Sequence, residues 1–201
     1  MKNEKRHALG ATVFAALLTA SSLQVEAGTA LPAEGKVETA FAPWDDVERL
    51  VMDQIDGARQ AVYVQAHVLT SRRIAKTLIA AHERGLTVEV IADRSKVLND
   101  ETSALPRVSG HGAMLWLDGS HSIARSSVMI IDPEGREPVV VTGSYDFGPT
   151  GAARNADNVI VLSGQRALAK AYMDNWKRHR TQSVSFADAV RATMGNEAAK
   201  P

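Results

Sequence analysis

Between Arg125 and Asn158 the chain reads RSSVMIIDPEGREPVVVTGSYDFGPTGAARNADN. Its polar residues fall into ordered groups: Arg125-x-Ser127-x4-Asp132, then Gly143-Ser144-x-Asp146, then Asn155-x-Asp157-Asn158. Carboxylates, amides and a hydroxyl can orient a reacting group or bind an anion, but attack and proton transfer need a group that titrates. Arg125 is not one, because its guanidinium stays protonated at any usable pH. Histidines are the other candidates. His121 precedes Arg125 by four residues; on an extended strand the two would share a face about 13 Å apart, too far for a simple exchange. His67 closes an apolar run at the end where parallel strands place functional groups, against the plainer reading of a core or surface residue. His82 and His179 read as solvated helix residues, and His111, between two glycines, as a loop residue. No His, Asp or Glu cluster has ligand spacing, so neither a metal site nor a cofactor is expected. The chain has no cysteine, which excludes thiol catalysis and thiolate metal sites.

The elements that position these residues follow from periodicity. Trp44, Val47, Val51 and Ile55 form one helical stripe, with Asp45 and Asp46 at its positive end. AVYVQAHVL (61–69) predicts a buried strand. Thr70 or Ser71 caps a helix over 71–84, which Gly85 stops, and LTVEVIAD (86–93) predicts the next strand. A helical crossover between two strands implies parallel neighbours. RSKVLNDETSALPRVSGHG is expected as a polar loop, with room for one helical turn. Strands are expected at 113–118, 127–132, 138–145 and 158–163, the middle two joined as a hairpin through DPEGREP. QRALAKAYMDNWKRHR predicts a helix with Leu168, Tyr172 and Trp176 on one face, and SFADAVRATM a weaker one. Trp44, Trp116 and Trp176 read as packing residues. The KRHR run (177–180) suits a helix C-terminus, against the alternative of a phosphate contact. The segment GPTGAARN either turns the chain or offers backbone N–H groups to an anion. The fold class is α/β: one mixed β-sheet flanked by helices.

The formal net charge of the 201 residues is zero, so no global basic field advertises nucleic-acid binding. Lys2, Lys5 and Arg6, the run ALGATVFAALLTA and the small residues of SSLQVEAG make the three-part pattern of a secretory signal peptide. Cleavage is expected after Ala27, against the alternative of an uncleaved membrane anchor. The expected organisation is a signal peptide over 1–27, a lead-in over 28–43 ending in a short strand near 37–41, a domain over 44–195 and a polar tail over 196–201. Export implies a periplasmic or secreted protein, with no integral membrane segment once the signal is removed.

The ordered groups, and the frame from AFAPWDDVERLVMDQIDGARQAVYVQAHVLTSRRIAKTLIAAHERGLTVEVIADRS to ALAKAYMDNWKRHR, resemble the phospholipase D superfamily. The likeness is to its small exported endonuclease-like members, which carry one motif per chain. The family signature is His-x-Lys-x4-Asp, then Gly-Ser-x-Asn, then an Asn-x-Glu-Asn-like stretch. The resemblance implies a histidine nucleophile that attacks phosphorus, with Lys and Asn donating to phosphate oxygens and carboxylates orienting the histidine. It also implies a homodimer, because two motifs must face each other across a two-fold axis.

In that register Asp132, Gly143, Ser144, Asn155 and Asn158 match. Arg125 stands for the histidine, Ser127 for the lysine, Asp146 for an asparagine and Asp157 for a glutamate. The motif-equivalent catalytic positions are therefore Arg125, Ser127, Asp132, Ser144, Asp146 and Asp157, and the phosphate-binding ones Gly143, Ser144 and Asn155. Arg125 and Asp146 either changed together, as an ion pair across the facing strands, or drifted neutrally in an unused site; the two readings stand even. The leading expectation is a member with the phosphodiesterase fold but a substituted motif. It would be catalytically impaired and bind a phosphodiester (nucleic acid or phospholipid) or a partner. An active phosphodiesterase, and a regulatory subunit paired with an intact homologue, are the alternatives.

Overall fold

The structure, a computed structural model, describes residues 28–149 and 155–198, so the expected signal peptide, most of the GPTGAARN segment and the chain end lie outside the described residues. In order the elements are β1 (Lys36–Phe41), α1 (Val47–Gly57), β2 (Ala61–Ala66), α2 (Arg72–Glu83), β3 (Thr87–Asp93), α3 (Arg94–Leu98) and α4 (Leu105–Gly110). Then come β4 (Met114–Asp118), β5 (Ser127–Ile131), β6 (Val139–Gly143), β7 (Asn158–Ser163), α5 (Arg166–Gln182), β8 (Val184–Ser185) and α6 (Phe186–Ala198). The strands form one eight-stranded sheet in the order β1-β7-β6-β5-β2-β3-β4-β8. β2, β3 and β4 run parallel, and the remaining pairings are antiparallel.

Side-chain alternation sends each strand's apolar residues to two layers. Met129 and Ile131 of β5 join Val62, Val64, Val90 and Val141 against α1, α2 and α4, where Val51, Ile55, Ile74, Leu78 and Leu105 are buried. Val128 and Ile130 face the other way, onto Ala169, Met173 and Trp176 of α5. The Trp176 indole N–H donates to the Val64 carbonyl at 2.9 Å, so its polar end is satisfied inside that layer.

The expected crossover, mixed sheet and 127–145 hairpin are all present. Several expectations need correction. Trp44 is not on the α1 stripe. The Asp45 carboxylate accepts from the Phe41 N–H and the Trp44 N–H bonds the Phe41 carbonyl, which closes a turn. The helix then begins at Val47 under an Asp46 cap, leaving Trp44 83% exposed. The second strand stops at Ala66 rather than at 69, because Leu69 dives into the core and its carbonyl takes the Ala104 N–H. The expected polar loop contains two short helices. Asp93 caps α3, and Pro106 opens α4, whose Leu105 and Val108 are buried. β1 lies within the expected lead-in, yet it pairs with β7 along its whole length and is an edge strand of the sheet.

The strand directions bring one set of ends to a single edge of the sheet. There the C-terminal ends of β2, β3, β4 and β6 meet the N-terminal ends of β5 and β7. In open α/β sheets this edge is where ligands bind.

Candidate functional site

Gly143, Ser144, Asp157 and Asn158 meet at that edge. The Ser144 hydroxyl donates to Asp157 Oδ1 at 3.0 Å and accepts from the Asn158 backbone N–H at 3.0 Å and its side-chain amide at 3.3 Å. A Cβ on Gly143 would lie 2.1 Å from the Asn158 carbonyl oxygen, so only glycine permits this approach of β6 to β7. Ser127 opens β5 opposite Ala66 of β2, and its carbonyl accepts from the Thr142 hydroxyl at 3.1 Å. Arg125 lies just before β5 and is exposed, as are Ser144, Asp146 and Asn155. The array thus offers a hydroxyl, an amide and a guanidinium at one exposed edge, with the Asp157 carboxylate behind the hydroxyl.

Asp132 is not among them. It sits at the far end of β5, about 16 Å from Ser127 at strand rise. Its carboxylate accepts the backbone N–H groups of Arg59, Gln60 and Ala61 at 2.7–2.9 Å, and its own φ is +47°. The residue ties the hairpin to the start of β2. The reading of Arg125 and Asp146 as an ion pair is also corrected. Among the described residues no ion pair joins them, since β6 ends at Gly143 and Asp146 leaves the sheet beyond the buried Tyr145. Burial, and secondarily the Glu48 carboxylate, push the Tyr145 hydroxyl well above the usual tyrosine range, so it stays neutral; it donates to the Gly148 carbonyl.

The same edge holds further polar residues, among them Asp93 and Asp118, which sequence reasoning left aside. Asp93 ends β3 and is 3% exposed. Its Oδ1 takes the Ser95 hydroxyl and the N–H groups of Ser95 and Lys96, while Oδ2 takes the Ala124 N–H at 2.9 Å. That last bond holds the segment leading into Arg125. Burial pushes the Asp93 carboxyl up, but these hydrogen bonds outweigh it and hold the group below the usual carboxylate range. His67 follows β2, with Nδ1 buried, 3.8 Å from Asp93 Oδ2 and without a hydrogen bond.

Asp118 ends β4 with its side chain fully buried, and both His121 and His179 reach it. His121 does not lie on an extended strand with Arg125, because the chain leaves the sheet after Asp118. His179 is not solvated: the last turns of α5 carry it onto Asp118 at 3.1 Å. In the KRHR run, Arg180 stacks over the Trp116 ring, whose N–H donates to Glu89, so this cation packs against the sheet. The expectation that no His, Asp or Glu cluster has ligand spacing is corrected here: Asp118 and His121 are three residues apart, and the third member, His179, comes from 61 residues away.

The sheet order, the two helical layers and the Gly-Ser and Asn-Asp-Asn turns at one edge define a phosphodiesterase fold. A family model described as cardiolipin synthase, PLD-like domain, matches residues 51–180. The phospholipase D of Rickettsia bellii is 34% identical over 148 residues, which cover 74% of this chain and 71% of the relative. That of Rickettsia prowazekii is 33% identical over 147 residues, covering 73% and 69%. Among solved structures, the phospholipase D family member Nuc from Salmonella typhimurium has a TM-score of 0.68 at 25% identity, covering 75% of this chain and 97% of Nuc. NucT from Helicobacter pylori, at 19% identity and TM-score 0.65, covers 75% of this chain and 99% of NucT and shares the fold. The chain belongs to the phospholipase D superfamily.

Proposed function

We propose that this chain binds phosphodiesters at the Arg125–Ser127–Ser144–Asn158 edge and hydrolyses them poorly or not at all. One observation carries the reading: Arg125 occupies the nucleophile's place in the motif. A guanidinium cannot form the phospho-enzyme bond, yet it donates in a fork that matches phosphate oxygens. Its exposure at the sheet edge, with no carboxylate paired to it among the described residues, supports that role. Ser127 lacks the positive charge of the lysine it replaces, and Asp146 repels a phosphate that an asparagine would hold.

The family resemblance, with one motif per chain, supports a homodimer with both edges at the two-fold axis, and export to the periplasm or beyond. Light scattering on the purified mature chain is expected to give twice the protomer mass.

The test is turnover of bis-p-nitrophenyl phosphate by the parent chain and by the triple variant Arg125→His, Ser127→Lys, Asp146→Asn. Parent activity at the uncatalysed background, with a gain of at least about 100-fold in the triple variant, supports the reading. Turnover by the parent that Arg125→Ala abolishes overturns it. That outcome would favour an active phosphodiesterase, the activity named for the Rickettsia relatives.

A further inference from the structure

We propose that Asp118, His121 and His179 form a binding site for one divalent transition-metal ion of the zinc class. The site is separate from the motif array and does not depend on the phosphodiester reading. Three donors of the types zinc takes come together here: one carboxylate and two imidazoles. Their ligand atoms all lie within 4.8 Å of one another. Asp118 Oδ2 is 3.0 Å from His121 Nδ1 and 3.1 Å from His179 Nδ1. The donor–donor edge of a zinc tetrahedron is about 3.3 Å, given bonds of roughly 2.0–2.1 Å. Both Asp–His distances are therefore already close to the spacing an ion would impose.

The surroundings fit the same role. Asp118 Oδ1 accepts the Ser120 N–H at 3.0 Å, which fixes the carboxylate's orientation as outer-shell bonds do in metal sites. Asp118 has no side-chain exposure, whereas His179 and His121 are 24% and 44% exposed, so the imidazoles can adjust around a fixed anion. The two rings stand 5.0 Å apart, centroid to centroid. Each imidazole can turn the Nδ1 lone pair to the ion by carrying its single proton on Nε2. Beside the cluster opens a cavity of about 400 Å³, lined by Asp118 and His121 together with Asp93, Arg94, Asn99 and Ser122. Its lining holds two carboxylates against one guanidinium, which favours a cation. Three protein donors leave a coordination position for water or a small ligand on that open side.

The test uses the full chain, stripped with a chelator and titrated with zinc chloride against a chromophoric competitor. One equivalent per chain at micromolar affinity or tighter is expected, and Co²⁺ in its place should give visible d–d bands. His121→Ala and His179→Ala should each weaken zinc binding by at least about tenfold and remove the cobalt bands. His82→Ala and His111→Ala should change neither. Zinc should raise the unfolding temperature of the parent but not of His121→Ala, whose exposed side chain makes it the variant that stays folded. Affinity and cobalt bands unchanged in His121→Ala overturn the site. So does a loss confined to one of the two histidine variants, or no binding at micromolar zinc.

Discussion

At Asp132 three backbone N–H groups from residues 59–61 converge on one carboxylate. The residue matches a catalytic pattern in sequence and fastens a hairpin in the fold. Asp132→Ala is therefore expected to lower unfolding free energy by about 2–3 kcal/mol, the scale of lost hydrogen bonds to a charged group. Urea denaturation checks this, and phosphodiester affinity should be unchanged in the folded variant. Asp93 gives the pH counterpart. Its carboxyl is held below the usual range by the hydrogen bonds it accepts, so its contribution to stability is complete above the ordinary carboxylate pKa and lost as pH falls through the depressed native value. Asp93→Asn should destabilise the protein near neutral pH, and the gap from the parent should shrink in acid. Urea midpoints measured at about pH 7 and about pH 3 decide this; a gap that grows in acid refutes it.

Between elements, one buried carboxylate joins α1 to α2. Glu48 is 2% exposed; it accepts from the Ser71 hydroxyl, and Arg73 Nη1 donates to its Oε2 at 2.6 Å. Ser71 in turn caps α2 by accepting the Ile74 N–H at 3.0 Å. Glu48→Ala leaves the buried Ser71 hydroxyl without its acceptor, while Arg73 can turn to water. A loss of about 2–4 kcal/mol is expected, read as a drop in unfolding midpoint with the fold retained. The contact between β6 and β7 is as strict for a steric reason. Gly143→Ala drives a methyl group into the Asn158 carbonyl, which is backbone and cannot rotate away. It should cost roughly 1–3 kcal/mol and weaken any ligand held by the Ser144–Asn158 array, as titration calorimetry can measure.

Over the whole molecule, the sheet order places β5 and β2 innermost, and the edges are β1 and the two-residue β8. Hydrogen exchange should follow that order, slowest in β2 and β5 and fastest in β1 and β8; an edge strand outlasting β2 would contradict the packing described. Among the described residues no helix is long and apolar enough to cross a membrane.

Periodicity and turn chemistry made most of the elements legible before any coordinates. The apolar runs of β2, β3, β5 and β7, the Ser71 cap and the crossover between parallel strands all depend on neighbours close in sequence, where the 2.0 and 3.6 periods act. The substitution at Arg125 was equally plain, because a guanidinium's permanent charge needs no structure to state. Tertiary contact alone decided the rest. Trp44 lies outside its stripe because Asp45 turns the chain back on Phe41. Asp132 left the site because it follows the far end of β5, which Ser127 opens. His179 meets Asp118 and His121 because α5 packs back along the sheet to the end of β4, a juxtaposition of residues 61 positions apart that no local pattern encodes.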